Sequence, residues 1–74
     1  MAYDYSRLSG KIVEVFGTRG NFANAMEMSE RSLSLKLNNL VSWRQPEMTK
    51  ACLLLKIDPE DIKDYFFTFE VQEM

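Results

Sequence analysis

Apolar positions along the chain fall into five short helical stripes followed by one alternating stretch. From about Tyr5 to Phe16, the residues Leu8, Ile12, Val13 and Phe16 recur at i, i+4, i+5 and i+8, which predicts an amphipathic helix. Asp4 or Ser6 can cap its start, and Gly17 supplies the backbone freedom that ends it. Thr18 then caps a second helix of barely two turns, about Arg19 to Met26, with Phe22, Ala23 and Met26 on one face. A helix this short does not stand alone and needs neighbours to hold it. Ser29 caps a third helix running to about Asn38 on Leu33 and Leu37, with Leu40 continuing that line if the helix extends. Only Glu27 to Ser29 separate helices two and three, so the two must cross steeply, as in a helix-turn-helix.

Asn39 to Gln45 reads as a loop, and Pro46 sits in the first turn of a fourth helix ending near Lys56. Its apolar positions Met48, Ala51, Cys52 and Leu55 share a face, flanked by Leu54. Asp58-Pro59-Glu60 starts a short fifth helix through Ile62, Tyr65 and Phe66. From Phe67 to Gln72 apolar and polar residues alternate strictly, the period of a half-buried strand. That segment either packs as an extended tail on the helices or pairs with its copy in another subunit. The expected architecture is all-α: one helix-turn-helix domain over residues 1–74, with residues 67–72 as an extended tail.

Composition narrows the function. With 74 residues the chain is near the lower limit for one core without disulfides or metals. Its single cysteine cannot form an internal disulfide and the absence of histidine removes zinc-type ligand sets, so no metal or other cofactor is expected. Without histidine, a glycine-rich phosphate loop or a partnered nucleophile, an enzyme is not expected either. No apolar run reaches the roughly 18 residues of a membrane helix, and the expectation is a cytoplasmic protein of a bacterial host, nucleoid-associated when bound. Net charge is −2, but residues 1–56 carry +3 and residues 57–74 carry −5. A mildly basic body permits a polyanionic partner without demanding one.

The stretch Asn21-Phe22-Ala23-Asn24-Ala25-Met26-Glu27-Met28-Ser29-Glu30-Arg31-Ser32-Leu33-Ser34-Leu35-Lys36-Leu37-Asn38-Asn39 resembles the helix-turn-helix of the lambda-repressor-like superfamily, which includes phage repressors and Cro proteins. Nearly the whole chain is also similar to a family of short phage-encoded proteins assigned to that superfamily. The resemblance implies a five-helix DNA-binding domain and a phosphate contact at Arg19. It also places glycine where this chain has Glu27, so a left-handed backbone there would cost about 1 kcal/mol.

At about 100° per residue, the side of helix three opposite Leu33 and Leu37 presents Arg31, Ser34, Leu35 and Asn38. For base readout in a major groove, Arg31 would donate to guanine O6 and N7 and Leu35 would meet a thymine methyl; Ser34 and Asn38 bond bases or phosphates, or are simply solvated. Glu30 would accept from cytosine N4 or favour the helix N-terminus. Thr18, Arg19, Asn21 and Ser29 at helix starts, with Lys36, Arg44 and Lys50, are the candidates for the DNA backbone. Trp43 would cover the loop against the core. A homodimer is expected through Phe67, Phe69 and Val71, by analogy with Cro-like proteins.

Two functions compete on these residues. One is sequence-specific binding of a double-stranded DNA operator, as a phage Cro or repressor-like transcription regulator. The other is a protein-interaction module, anti-repressor-like, that keeps the fold without DNA binding and grips another regulator through its acidic, aromatic C-terminus.

Overall fold

In a computed structural model that describes residues 2–69, five α-helices follow one another: α1 (Ser6–Phe16), α2 (Arg19–Ala25), α3 (Glu30–Leu37), α4 (Gln45–Leu55) and α5 (Ile62–Phe66), the last preceded by a 3-10 turn at Pro59–Asp61. The chain is all-α among the described residues. Each helix is bounded by local chemistry. The Asp4 carboxylate accepts both the backbone N–H and the hydroxyl of Ser6, which holds its carboxyl below the ordinary aspartate value. Thr18 Oγ1 accepts Asn21 N–H at 3.1 Å and Ser29 Oγ accepts Ser32 N–H at 3.1 Å, as their N-cap positions require. Gly17, at φ 84°, closes α1 by donating its N–H to Val13 O.

Three helices end in the same way, each with a non-glycine residue in the left-handed region: Glu27 (φ 60°) after α2, Asn39 (φ 63°) after α3 and Lys56 (φ 56°) after α4. In each case the next residue's N–H reaches back five positions: Met28 to Ala23 O, Leu40 to Leu35 O and Ile57 to Cys52 O, all at 2.9 Å. This is the Schellman pattern, which satisfies carbonyls the helix would otherwise leave open. It confirms the left-handed backbone expected at Glu27. Because Glu27 is exposed and its ion pair with Lys50 is a surface one at 3.3 Å, little is lost by removing its side chain. Glu27→Gly is expected to stabilise by about 0.5–1 kcal/mol and raise Tm by a few degrees; a lower Tm in thermal melts followed by circular dichroism would contradict it.

The core joins Tyr5, Leu8 and Ile12 of the first segment to Phe22, Ala23 and Met26, to Leu33 and Leu37, and to Trp43, Ala51, Leu55, Ile57 and Phe66. Phe16 lies edge-on against Phe22 at 5.3 Å, and Trp43 edge-on against Phe66 at 5.2 Å. Two apolar expectations fail. Val13 is 51% exposed, because the buried stripe of α1 follows Tyr5, Leu8, Ile12 and Phe16, and a residue about 100° past Ile12 falls outside it. Leu40 is 71% exposed, because α3 stops at Leu37 and left-handed Asn39 turns the chain away from the leucine line.

The two open readings of the alternating segment are decided in part. Phe69 pairs antiparallel with Tyr3 of the same chain, Asp4 N–H donates to Thr68 O at 2.6 Å, and the Phe69 ring stacks on Tyr3 at 5.0 Å. On its other side the Tyr3 backbone is bracketed by the Asn39 amide, which accepts Tyr3 N–H at 2.9 Å and donates to Tyr3 O at 2.8 Å. The start of the tail therefore packs on its own subunit. The remainder, including Val71, lies outside the described residues.

Candidate functional site

Helices α2 and α3, joined by the Glu27 turn, hold the residues singled out for recognition. Capping by Ser29 fixes the start of α3, and burial of Leu33 and Leu37 fixes which side it turns inward. Arg31 is consequently exposed, and no carboxylate lies within ion-pair distance of it among the described residues. One turn on, Asn38 Nδ2 donates to Ser34 Oγ at 3.4 Å, so these two polar groups sit together on the outward side, with Leu35 half-buried beside them in sequence. Leu35 O accepts both Leu40 N–H and Val41 N–H, which folds the loop back under the end of α3.

Glu30 is placed differently from a base-reading residue. A Cβ on Gly20 would collide with Glu30 Oε1, so the carboxylate lies against the first turn of α2, where helix amide ends favour an anion. Arg19 is exposed at that same turn. Thr18 and Ser29 spend their hydroxyl oxygens on capping, and Asn21 Nδ2 donates to Phe16 O at 2.9 Å, locking the corner between α1 and α2. Arg44 is exposed at the start of α4, while Lys50 is half-buried and paired with Glu27.

Lys36 is the clear correction to the phosphate-contacting set. Its side chain is 8% exposed, its Nζ lies 3.0 Å from Glu47 Oε1 and donates to Ser42 O at 3.2 Å, and the Trp43 ring centre is 6.0 Å away. A lysine at this position of α3 has its stem along the leucine face and its charge consumed inside the protein, so it offers nothing to a phosphate. Glu47 was not among the expected site residues, yet it organises this corner. Burial pushes its carboxyl up, but the N–H of Arg44 at 2.9 Å, and then Lys36, outweigh that and hold it below its ordinary value.

Phe67 and Phe69, expected at a dimer contact, are 43% and 52% exposed and flank Tyr3, which Phe67 meets edge-on at 6.0 Å. Cys52 is half-buried on α4 and burial raises its pKa, the reverse of an activated thiol. No helix among the described residues is long and apolar enough to cross a membrane.

The arrangement is thus a capped pair of short helices that carries two exposed arginines, Arg19 and Arg31, without an ion pair among the described residues, backed by an aromatic corner where Tyr3 meets Phe67 and Phe69. Over residues 1–69 the sequence matches the family described as "Protein of unknown function (DUF739)". Comparison with curated proteins returned no match. Among solved structures, the chain is similar to the solution structure of the modulator of repression (MOR) of the temperate bacteriophage TP901-1 from Lactococcus lactis, with 53% identity over 97% of each chain and a TM-score of 0.80.

Proposed function

The chain belongs to the family described as "Protein of unknown function (DUF739)", and we propose that it is a modulator of phage repression that acts by contacting a protein, a repressor, rather than by reading an operator alone. The observation that carries this reading is its likeness to the TP901-1 modulator of repression, at 53% identity along nearly the whole of both chains. Electrostatics point the same way. With Lys36 consumed internally and Lys50 paired to Glu27, the outward row of α3 keeps Arg31 as its cation, in a chain of net charge −2. That is a thin cationic surface for a polyanion, whose affinity grows with the number of phosphates neutralised.

The test is direct titration of the chain with the repressor of the phage that encodes it, by calorimetry, and separately with operator and random duplex DNA. Binding to the repressor with none to DNA at low salt is the expected outcome. DNA binding that falls steeply with salt and no response to the repressor would reverse it.

A second reading, operator recognition by a lambda-repressor-like helix-turn-helix, draws support from the α2–turn–α3 connection and from the exposure of Arg31 and Asn38 on α3, with half-buried Ser34 hydrogen-bonded to Asn38. On that reading Arg31 reads guanine, Leu35 a thymine methyl, and Arg19, Arg44 and Lys50 hold phosphates. Homodimerisation through Phe67, Phe69 and Val71 belongs with it, since two subunits double a sparse contact set. Arg31→Ala separates the two readings. It should abolish any DNA discrimination while leaving calorimetric repressor affinity within about twofold if the partner docks elsewhere.

A further inference from the structure

Glu30 is exposed in the first turn of α3, yet its carboxylate does not stand away from the protein. It reaches across to α2: a Cβ on Gly20 would collide with Glu30 Oε1 and lie 3.2 Å from the carboxyl carbon. Glycine inside a helix is costly relative to alanine, and at residue 20 the space left by the missing methyl is the space the carboxylate uses. An arginine adjoins this contact on each helix, Arg19 before Gly20 and Arg31 after Glu30. Both are exposed, and neither forms an ion pair among the described residues. The remaining charges of residues 19–37 are spent within the protein, Glu27 on Lys50 and Lys36 on Glu47. The unspent charges of the α2–α3 corner therefore run plus, minus, plus. Two arginines less one glutamate leave +1, half of what the arginines alone would offer.

We infer that Glu30 determines the class of partner: its carboxylate holds the place beside Gly20 that a phosphate would take between Arg19 and Arg31, and so keeps this face off duplex DNA. The inference rests on the proposed protein contact and says what withholds a helix-turn-helix from DNA. Affinity for a polyanion grows with each phosphate neutralised, so an anion set between two cations removes the best place for one. A folded protein surface can instead set a cation opposite Glu30 and acids opposite the arginines. The pattern that repels a uniform polyanion thus admits a surface of mixed sign.

The experiment titrates a labelled random duplex at low salt with the full chain and with Glu30→Gln, which keeps the size and shape of the side chain, and follows fluorescence anisotropy. Glu30→Gln is expected to bind at least fivefold tighter than the wild type, the detection limit standing for the wild type where it shows no binding. Adding Arg19→Ala or Arg31→Ala to Glu30→Gln is expected to return binding to the wild-type level. Glu60→Gln makes the same change of net charge at an exposed position of the 3-10 turn, outside α2 and α3, and is expected to stay within twofold of the wild type. Circular dichroism melts of each variant confirm that it is folded.

Equal DNA affinity of Glu30→Gln and the wild type would overturn the inference. So would a gain that survives the loss of either arginine, because the phosphate would then be held elsewhere, and so would a matching gain in Glu60→Gln, which would reduce the effect to net charge. Calorimetric titration of the wild type with the phage repressor is read separately. No binding there would overturn the proposed protein contact, while the DNA titrations would still decide the role of Glu30.

Discussion

Phe22→Ala is expected to cost about 3–5 kcal/mol of folding stability, enough to lower Tm by about 15 °C or more in a chain of this size. Phe22 is fully enclosed, and α2, the seven-residue helix that carries it, has too few turns to persist by its own hydrogen bonds. Removing the ring opens a cavity beneath α2 and strips the edge-on contact with Phe16. The helix packed against α3 is thereby loosened, so the outward side of α3 should lose definition along with stability. Urea unfolding followed by circular dichroism measures the loss; a change below about 1 kcal/mol would mean that the α1–α2–α3 core is not packed as described.

The second large effect concerns the pair Lys36 and Glu47, and here the asymmetry is the informative quantity. Glu47→Gln leaves an ammonium group 8% exposed with no anion beside it, facing the Ser42 carbonyl, the Trp43 ring and a neutral amide. About 2–4 kcal/mol of destabilisation is expected. Lys36→Met leaves a carboxylate that is 24% exposed and still accepts the Arg44 N–H, so about 1–2 kcal/mol is expected. The order of the two, measured in urea at neutral pH, is the test, and equal losses would place both charges in comparable solvent.

Acid gives a second readout for the same pair. Glu47's carboxyl is held below its ordinary value of 4.5 in the folded protein, so its contribution is fully present above that value and disappears as pH falls through the lower folded-state value. Glu47→Gln should therefore flatten the acid limb of the stability curve below about pH 4.5, relative to wild type.

The parts of the fold legible in the sequence are those governed by neighbours along the chain. Thr18 and Ser29 announced their helices because a hydroxyl three residues ahead of an amide is a local geometry, while the left-handed backbone at Glu27 was suggested only by the glycine that the resembled superfamily carries there. What escaped depends on distant partners. Lys36 reads as a surface cation because its neutralising carboxylate lies eleven positions ahead across a loop, and nothing in a periodic pattern joins residue 36 to residue 47. The pairing of Tyr3 with Asn39 and Phe69 is likewise invisible locally: asparagine after a helix signals a turn, and its second use as a substitute strand edge appears only when the backbone returns to it. On α3, the outward placement of Arg31 and Asn38 was legible from the leucine spacing, whereas the inward charge of Lys36 was not.

That bracketing of Tyr3 has a mechanical consequence. Chain ends ordinarily fray first and independently, whereas here Tyr3 and Phe69 are tied to each other and Tyr3 is also tied to the Asn39 amide. Loosening the Asn39 amide is therefore expected to free Tyr3 first and, through the single Tyr3–Phe69 pairing, to slacken residue 69 with it, so that the two segments let go in step.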